Sequence, residues 1–486
     1  VTEMFSSLSG DDLRFMRQTS ILSHLDVESC DHVTGTDSGH RQLMRLARSN
    51  LLIIPLDEIG EQFRYHHLLQ TELISLLRRE ESPEAVASLH LRAMEWTSAN
   101  GDVSSAIPHA VRAGDIGSAV AFVAEHWYEY IMSGRAQSAY GWMDNFTERD
   151  IQQHPPLMLV GAMLAAFTGH TREARELAAA AERVTYEGAG FVGAANYESS
   201  VAIMRASISA DGPESALADA RRAAEHEPFD SPYRPLLAAV MGAFIYSTAV
   251  HDADAVPLLL EGSRVATGPP EIAAYALANL GLMHAWRNEG DAALSYARQA
   301  IRKIDETNVG GLLIYGLPYA IAARFSLERD GVAQSRELMR NAEQAERAAS
   351  NGAPFDSMVL RTTMAETYVA MEELGLARTY AERALSCLAT MKEGGLVATR
   401  LDSVIRQINS ADPNSNGQFQ QEGPLLSPRE VQILGLLATD ETLEGIGRRL
   451  FVSRNTVKTH TSRIYRKLSV SGRRQAVAEA QRLTLI

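Results

Sequence analysis

The sequence predicts a mainly α protein. An α-solenoid of helical hairpins follows a small unit of helices and a β-hairpin, and precedes a compact C-terminal module with a helix-turn-helix. Three observations carry this. Turn signals recur through the middle of the chain at gaps of about 38 to 44 residues, and a fixed period of that size built from helical hairpins is the signature of stacked repeats. A short apolar strand pattern, a turn and a second strand pattern occur once, near residue 55. Finally, the charge changes sign near the end. From Pro424 onward eleven Lys/Arg stand against five Asp/Glu, a balance of +6 in a chain of −14, which leaves −20 for residues 1–423. A basic end on an acidic body is an electrostatic footprint for a polyanion.

At 486 residues the chain has room for three or four domains of about 150 residues each. Its 45% hydrophobic and 22% charged content is ordinary for proteins with sizeable cores. Two cysteines, Cys30 and Cys387, are too few for a disulfide framework and show no metal-ligand spacing. Residues 1–14 carry no apolar run after a basic start, so no signal peptide is read there. The longest stretches free of Asp, Glu, Lys, Arg and His, 235–250 and 307–323, fall short of the roughly 18 apolar residues of a membrane span. The expectation is a cytoplasmic protein without membrane partner or cofactor.

Residues 1–95 are read as a winged-helix-like domain. Leu13, Arg14 and Phe15, and then Ile21 and Leu22, are expected to begin helices; 51–56 is a short buried strand, 57–60 a turn, 63–65 a second strand, and 66–79 a helix. Helices followed by a hairpin fit a winged helix, here without a basic stripe, so its predicted role is packing. His66 and His67 lack a carboxylate or third ligand at fixed spacing and read as a cap. His24, Cys30 and His32 read as no site either.

Residues 96–408 are predicted to be helix after helix. Gly101-Asp102, Gly114-Asp115, Gly169-His170, Asp211-Gly212, His251-Asp252, Gly290-Asp291, Asp330-Gly331 and Gly375 punctuate them. Residues 276–282 followed by Ala292, Ala293, Ala297 and Ala300 loosely resemble a tetratricopeptide repeat, so the region is read as TPR-like. Such a solenoid has a concave face for a small molecule or a protein. Tyr246, Tyr275, Trp286, Tyr296, Tyr315, Tyr319 and Phe325 are candidates to line it, although aromatics at helical spacing more often fill a core. Residues 409–426, rich in Asn, Ser, Gln, Gly and Pro, form a linker.

The last domain, 427–486, is the most informative. Ser427, Pro428 and Glu430 make a capping box with proline at the first helical position. Val431, Leu434, Leu437 and Ala438 follow at helical spacing. Thr442 is the expected cap of a second helix, through Leu450, and Ser453 that of a third, from about Arg454 to Leu468. At 100° per residue Val457, Thr461, Ile464 and Leu468 form an apolar stripe for a small core. Asn455, Lys458, Thr459, Ser462, Arg463 and Arg466 lie opposite. Residues 446–474 hold nine Lys/Arg and no carboxylate, which suits a major groove with polar base edges and phosphate walls.

The run LSPRE, and above all NTVKTH followed by IYRKL, resembles the C-terminal module of LuxR-type response regulators, over about sixty residues. The resemblance implies a four-helix module whose third helix enters the groove. It places Lys458, Thr459 and Ser462 at bases, with Asn455 beside them. Thr456, Arg463 and Arg466 fall near phosphates, together with Arg454 and Lys467. It also makes the fourth helix, with Ala476, Val477, Ala480 and Leu483, the dimerisation element on double-stranded DNA. Three residues depart from the family pattern: Asp440 stands for a turn glycine, Gly447 for an alanine, and Gly445 is a further interior glycine. Each interior glycine costs about 0.5–1 kcal/mol relative to alanine.

A second resemblance covers roughly residues 10–130. RQTSIL, SNLLIIPLDE, RYHHLLQTEL, SLHLRAMEW and AIPHAVRAGD look like the segment that follows the nucleotide-binding domain of MalT-like regulators. No G-x-x-x-x-G-K-[ST] phosphate loop occurs in the sequence, and the expectation is a MalT-like regulator without its nucleotide switch. Together the two resemblances imply a DNA-binding transcription regulator, not an enzyme, homodimeric on DNA, whose repeats take a small-molecule or protein effector. A protein-interaction scaffold derived from such a regulator is the alternative.

Overall fold

A computed structural model describes residues 8–48, 53–57, 59, 61–248, 252–264, 270–306, 315–348, 353–411, 428–438, 441–443, 445–446, 457, 461, 464–465, 470 and 472–482. It is mainly α, with three separate apolar cores.

The first core belongs to the winged helix. Helices α1 (Gly10–Thr19), α2 (Val27–Thr34) and α3 (Gly39–Arg48) precede an antiparallel pair, β1 (Ile53–Pro55) and β2 (Phe63–Tyr65), in which Ile54 faces Arg64. Helix α4 (His67–Glu80) follows. Ser9 caps α1, and Asp26 with Ser29 forms a capping box at α2, which is why the chain turns helical there. The expected helix start at Ile21 and Leu22 is wrong. Both lie in the loop between α1 and α2, held by Gln70 Nε2, which donates to the Ser20 and Leu22 carbonyls at 2.9 and 3.0 Å. Strand β1 is shorter than 51–56 and only half-buried, with residues 51–52 outside the described residues. His66 is a cap, its Nδ1 accepting from the Leu68 amide.

Helix α5 (Pro83–Ala99) completes the first core with Leu89 and Ala93 and packs on α6 (Val103–Ala113), which with α7 (Ile116–Met132) begins the solenoid. The Gly-Asp pairs work as stop and start. Gly101 and Gly114 adopt φ of +77° and +82°, which a Cβ would disfavour. Asp102 and Asp115 then each accept the amide of the residue three positions on, both at 3.1 Å. Positive φ recurs at Gly169, and at Gly212 and Gly331, where ψ is near 180° and the backbone is extended. At two expected turns another residue takes it: Asn288, not Gly290, and Glu372, not Gly375. The turn expected at 251–252 falls at the edge of a stretch outside the described residues.

Short helices α8 (Ala136–Tyr140) and α9 (Glu148–Gln153) lead into the hairpins. These are α10 (Pro155–Phe167) with α11 (Thr171–Ala181), α12 (Tyr197–Ile208) with α13 (Pro213–His226), and α14 (Arg234–Ser247) with α15 (Asp252–Ser263). Then come α16 (Pro270–Trp286) with α17 (Gly290–Asp305), and α18 (Gly316–Ala348), broken into two by Gly331. Helices α19 (Pro354–Ala370), α20 (Leu374–Leu388) and α21 (Gly395–Ala411) end the solenoid. Small residues bring partners close. A Cβ on Gly242 would meet the Ala255 carbonyl at 3.0 Å, and one on Gly262 would meet the Ala239 Cβ at 2.8 Å.

The first helix of each pair (α10, α12, α14, α16 and α19) is buried on nearly all sides, and these helices pack in series as an inner layer in which α18 stands between α16 and α19. The inner layer also touches itself at long range: Phe244 of α14 meets Phe355 of α19, ring centroids 5.6 Å apart. The aromatic residues considered for a concave face belong to this packing. Tyr246 and Tyr315 are buried, Tyr246 stacks on Trp286, and Tyr275, Tyr296, Tyr319 and Phe325 pack half-buried against the core.

Two buried polar contacts generate predictions. Glu346 accepts Arg361 at 2.9 Å and Arg383 at 3.2 Å, with Glu346 and Arg361 both buried. Arg361→Ala should lower stability by about 3–5 kcal/mol, because it strips a buried carboxylate of its main partner; the shift of the solenoid's urea midpoint measures this. His90 and His109 face each other, Nδ1 to Nδ1 at 2.9 Å. Burial, then neighbouring His109 and Arg112, pushes His90 from 6.5 to about 3, and burial and Arg112 push His109 to about 4. Folded pKa values below the free value mean the unfolded chain binds more protons. The contribution is therefore present above pH 6.5 and lost as pH falls through the folded values. Thermal midpoints should drop from about pH 7 to about pH 5, and less steeply in His90→Gln.

Candidate nucleic-acid interface

The third core belongs to the C-terminal module. Helix α22 (Pro428–Leu437) supplies Ile433, Leu434 and Leu437, and α23 (Arg473–Arg482) supplies Ala476 and Ala480. Between them Ile446, Val457 and Ile464 are fully buried in the same cluster, with Leu436, Leu443, Tyr465, Val470 and Val477 packed half-buried against it. Of the four residues read at helical spacing, Leu434 and Leu437 are in the core, Ala438 is exposed, and the side chain of Val431 lies outside the described residues; Ile433 takes a further core place. Thr442 is a cap, as its position suggests. Its Oγ1 accepts the Gly445 amide at 3.1 Å and its carbonyl accepts Ile446 at 2.9 Å.

The stripe expected of the third helix is in place where it is described. Val457 and Ile464 are at 0% exposure and Thr461 at 5%, a spacing of four and then three residues that keeps one helix face inward. Thr461 satisfies its hydroxyl on the Val457 carbonyl at 2.8 Å, so a polar residue sits in the core at little cost. The fourth stripe residue, Leu468, lies outside the described residues. So do Asn455, Lys458, Thr459 and Ser462, and also Arg454, Thr456, Arg463, Arg466 and Lys467. Ser427, Asp440, Gly447 and Ser453 are outside them as well.

Of the four residues considered for dimerisation, Ala476 and Ala480 are enclosed in the module's own core and Val477 is half-buried; Leu483 is not described. Arg473 has a role that its charge alone did not suggest. Its Nε donates to the Leu437 carbonyl at 2.9 Å, closing the C-terminal end of α22, where a cation also meets the negative end of the helix dipole. Burial holds the Tyr465 phenol above its ordinary pKa. Among the described residues no group of His, Cys, Asp or Glu could hold a metal ion, and no helix is long and apolar enough to cross a membrane.

Two protein families match the ends of the chain. Residues 1–85 match the MalT winged helix domain, and residues 424–480 match the bacterial regulatory proteins of the luxR family. The spore germination protein GerE of Bacillus subtilis is 44% identical over 66 residues, 88% of its own length and 14% of this chain. The chain belongs to the luxR family. The HTH-type transcriptional regulator MalT of Yersinia enterocolitica is 28% identical over 187 residues, covering 38% of this chain and 21% of that relative. The chain therefore spans about a fifth of the MalT relative it matches. Among solved structures, a STAND protein with a tetratricopeptide repeat sensor from Pyrococcus horikoshii aligns at a TM-score of 0.51 and 14% identity. The alignment covers 87% of this chain and 62% of that one, and it supports the TPR-like fold of the repeats.

The LuxR-type module offers a direct stability test. A Cβ on Gly445 would meet only ordinary contacts, the nearest Thr442 Oγ1 at 3.5 Å. Gly445→Ala should stabilise the module by about 0.5–1 kcal/mol, read as slower amide exchange across α22 and α23.

Proposed function

We propose that the chain is a transcription regulator that binds double-stranded DNA through its LuxR-type module, under control of the repeats. The observation that carries this is the burial of Val457, Thr461 and Ile464. With that stripe committed to the core, helical periodicity assigns Asn455, Lys458, Thr459 and Ser462 to the opposite arc. That arc is polar and cationic in a chain that is otherwise acidic. Lys458, Thr459 and Ser462, with Asn455, are assigned to base edges. Arg454, Thr456, Arg463, Arg466 and Lys467 are assigned to phosphates.

Binding as a homodimer on a two-fold site fits the family. Since Ala476 and Ala480 fill the monomer's own core, the contact is assigned to the face of α23 that carries Val477. The repeats are assigned the receipt of a small-molecule or protein effector, and the protein works where the chromosome is, in the bacterial cytoplasm.

Selection of sequences from random duplexes with the full chain tests the proposal. One enriched repeat supports it; no enrichment at physiological salt refutes it in favour of an interaction scaffold. On the selected site, Lys458→Ala should weaken binding by about 1–3 kcal/mol and relax specificity at one position. Arg466→Ala should weaken all sequences alike and reduce the slope of log affinity against log salt by about 0.9. Titration by fluorescence anisotropy at several salt concentrations separates the two.

A further inference from the structure

Repeats in a solenoid ordinarily contact only their neighbours. Here the segment 390–400, the loop after α20 with the first six residues of α21, reaches back across the solenoid to much earlier helices. Arg175, in the middle of α11, donates to the Thr390 carbonyl at 2.6 Å, a separation of 215 residues. The Lys392 and Glu393 amides donate to the Asp211 carbonyl at 3.0 and 3.3 Å, and the Lys392 ammonium meets the Asp211 carboxylate at 2.8 Å. Arg400 donates to the Trp286 carbonyl and lies with its guanidinium 5.6 Å over the Trp286 ring. The loop and the first turns of α21 thus tie three earlier hairpins to the last one.

Its central contact completes an earlier helix. Gly212 is the N-cap of α13 and has no side chain to satisfy the first-turn amides. Glu393 supplies the acceptor from 178 residues away: its Oε1 takes the Ser215 amide at 2.8 Å and the Ser215 hydroxyl at 3.0 Å. Two glycines make room. Gly212 has φ of +121° and a Cβ there would run into the Glu393 carbonyl; Gly395 has φ of +53° and a Cβ there would run into the Ser247 carbonyl of α14. The chain closest to these earlier helices is therefore shaped to lie against them.

The closure is also weakly held. The Lys392 side chain is 74% exposed, and such pairs contribute little. Glu214 stands beside Glu393, and burial and that neighbouring carboxylate hold its carboxyl above the ordinary value. By contrast the rest of α21 is fixed to the last hairpin, with Leu401, Val404 and Ile408 all buried.

We propose that segment 390–400 is a latch that closes the solenoid on itself, sealing the inner layer, and that its release is the step by which the repeats pass a signal to the C-terminal module. Release frees the crossing loop and the start of α21 from α13, α14 and α16, while α19 keeps its own contact with α14 through Phe355 and Phe244. Helix α21 leads directly into the linker that carries the module, so its displacement moves the anchor of the DNA reader. The transmission step rests on the proposed DNA-binding function; the latch itself does not.

Hydrogen-exchange mass spectrometry on the full chain tests the latch. Glu393→Ala should raise exchange about tenfold in 213–216 and 390–400 together, as loss of a helix cap and its hydrogen bonds predicts, while α10 and α19 stay protected. Glu393→Gln keeps an acceptor for Ser215 and should stay near wild type. The pair Ser215→Cys with Glu393→Cys, once oxidised, should slow exchange in both segments. No rise in Glu393→Ala, or a rise spread evenly through the solenoid, would overturn the latch. For transmission, the oxidised and reduced forms of the cysteine pair should differ at least about fivefold in DNA affinity, the lower end of the usual range of coupling; equal affinity overturns it. A wild-type chain that binds no duplex specifically refutes the DNA reading and the transmission step, and exchange still decides the latch.

Discussion

A helix that is apolar on every side must be covered on every side, and the solenoid is built around that constraint. Residues 155–166 of α10 are all buried, and α16 hides thirteen of its residues including Glu271 and Asn279. One flank of such a helix is covered by the outer helix of its own pair, whose inward alanines allow close approach: Ala293, Ala297 and Ala300 of α17 are at 0% exposure. Neighbouring inner helices cover a second flank. Coverage of the remaining flank draws on packing at long range, as between Phe244 and Phe355, and on the return of the chain's own last turn. An inner layer of this composition would be unstable around a wide, wet groove.

What could be read in the sequence follows from how local its cause is. The Gly-Asp turns were legible because one residue must accept positive φ and the next must offer an acceptor, and both demands fall within four positions. Asn288 and Glu372 fill the same conformation without that signature, and the nearby glycines drew the assignment two or three residues downstream. Ile21 and Leu22 show the opposite error, since two adjacent apolar residues fit a loop against a core as well as a helix. In the C-terminal module the stripe at 457, 461 and 464 was legible from period alone. The capping role of Arg473 was not, because its partner carbonyl on Leu437 is set by the tertiary fold. Glu393 and Ser215 lie beyond any local reading; a single glutamate in a loop carries no trace of a helix 178 residues earlier.

The same distinction separates the two ends of the molecule in chemical terms. The C-terminal module commits its apolar residues to a core of about a dozen side chains and concentrates charge in the middle of its sequence, so its candidate interface is a property of composition and period. The repeats carry most of the chain's negative charge and spend part of it on internal pairs: Glu346 with two arginines, Glu366 with Arg324 and Arg400, and Asp219 with Arg205. The rest of that charge repels a nucleic-acid backbone at close range, within a Debye length of about 8 Å at physiological ionic strength. Where the module is held relative to the acidic repeats therefore bears on its affinity, without any contact between the two.

A sealed inner layer also changes what an effector would have to do. A ligand shifts an equilibrium only by its differential affinity for the two states, and moving a population from 1:99 to 99:1 takes roughly 5.5 kcal/mol. A closure made of an apolar interface would place that demand beyond a small molecule with few contacts. The segment 390–395 is instead polar and glycine-containing, with an exposed lysine, one half-buried methionine at 391, and two carboxylates crowded at the start of α13. Its hydrogen bonds exchange for water on opening, so their net contribution is about 0.5–1.5 kcal/mol each. The apolar anchors of α21 sit on the far side of the hinge, on α19 and α20, and neither they nor the Phe244–Phe355 contact need be broken. The division between a firmly packed last hairpin and a lightly tied crossing loop gives the solenoid two arrangements separated by a modest free energy, which is the physical requirement for a switch.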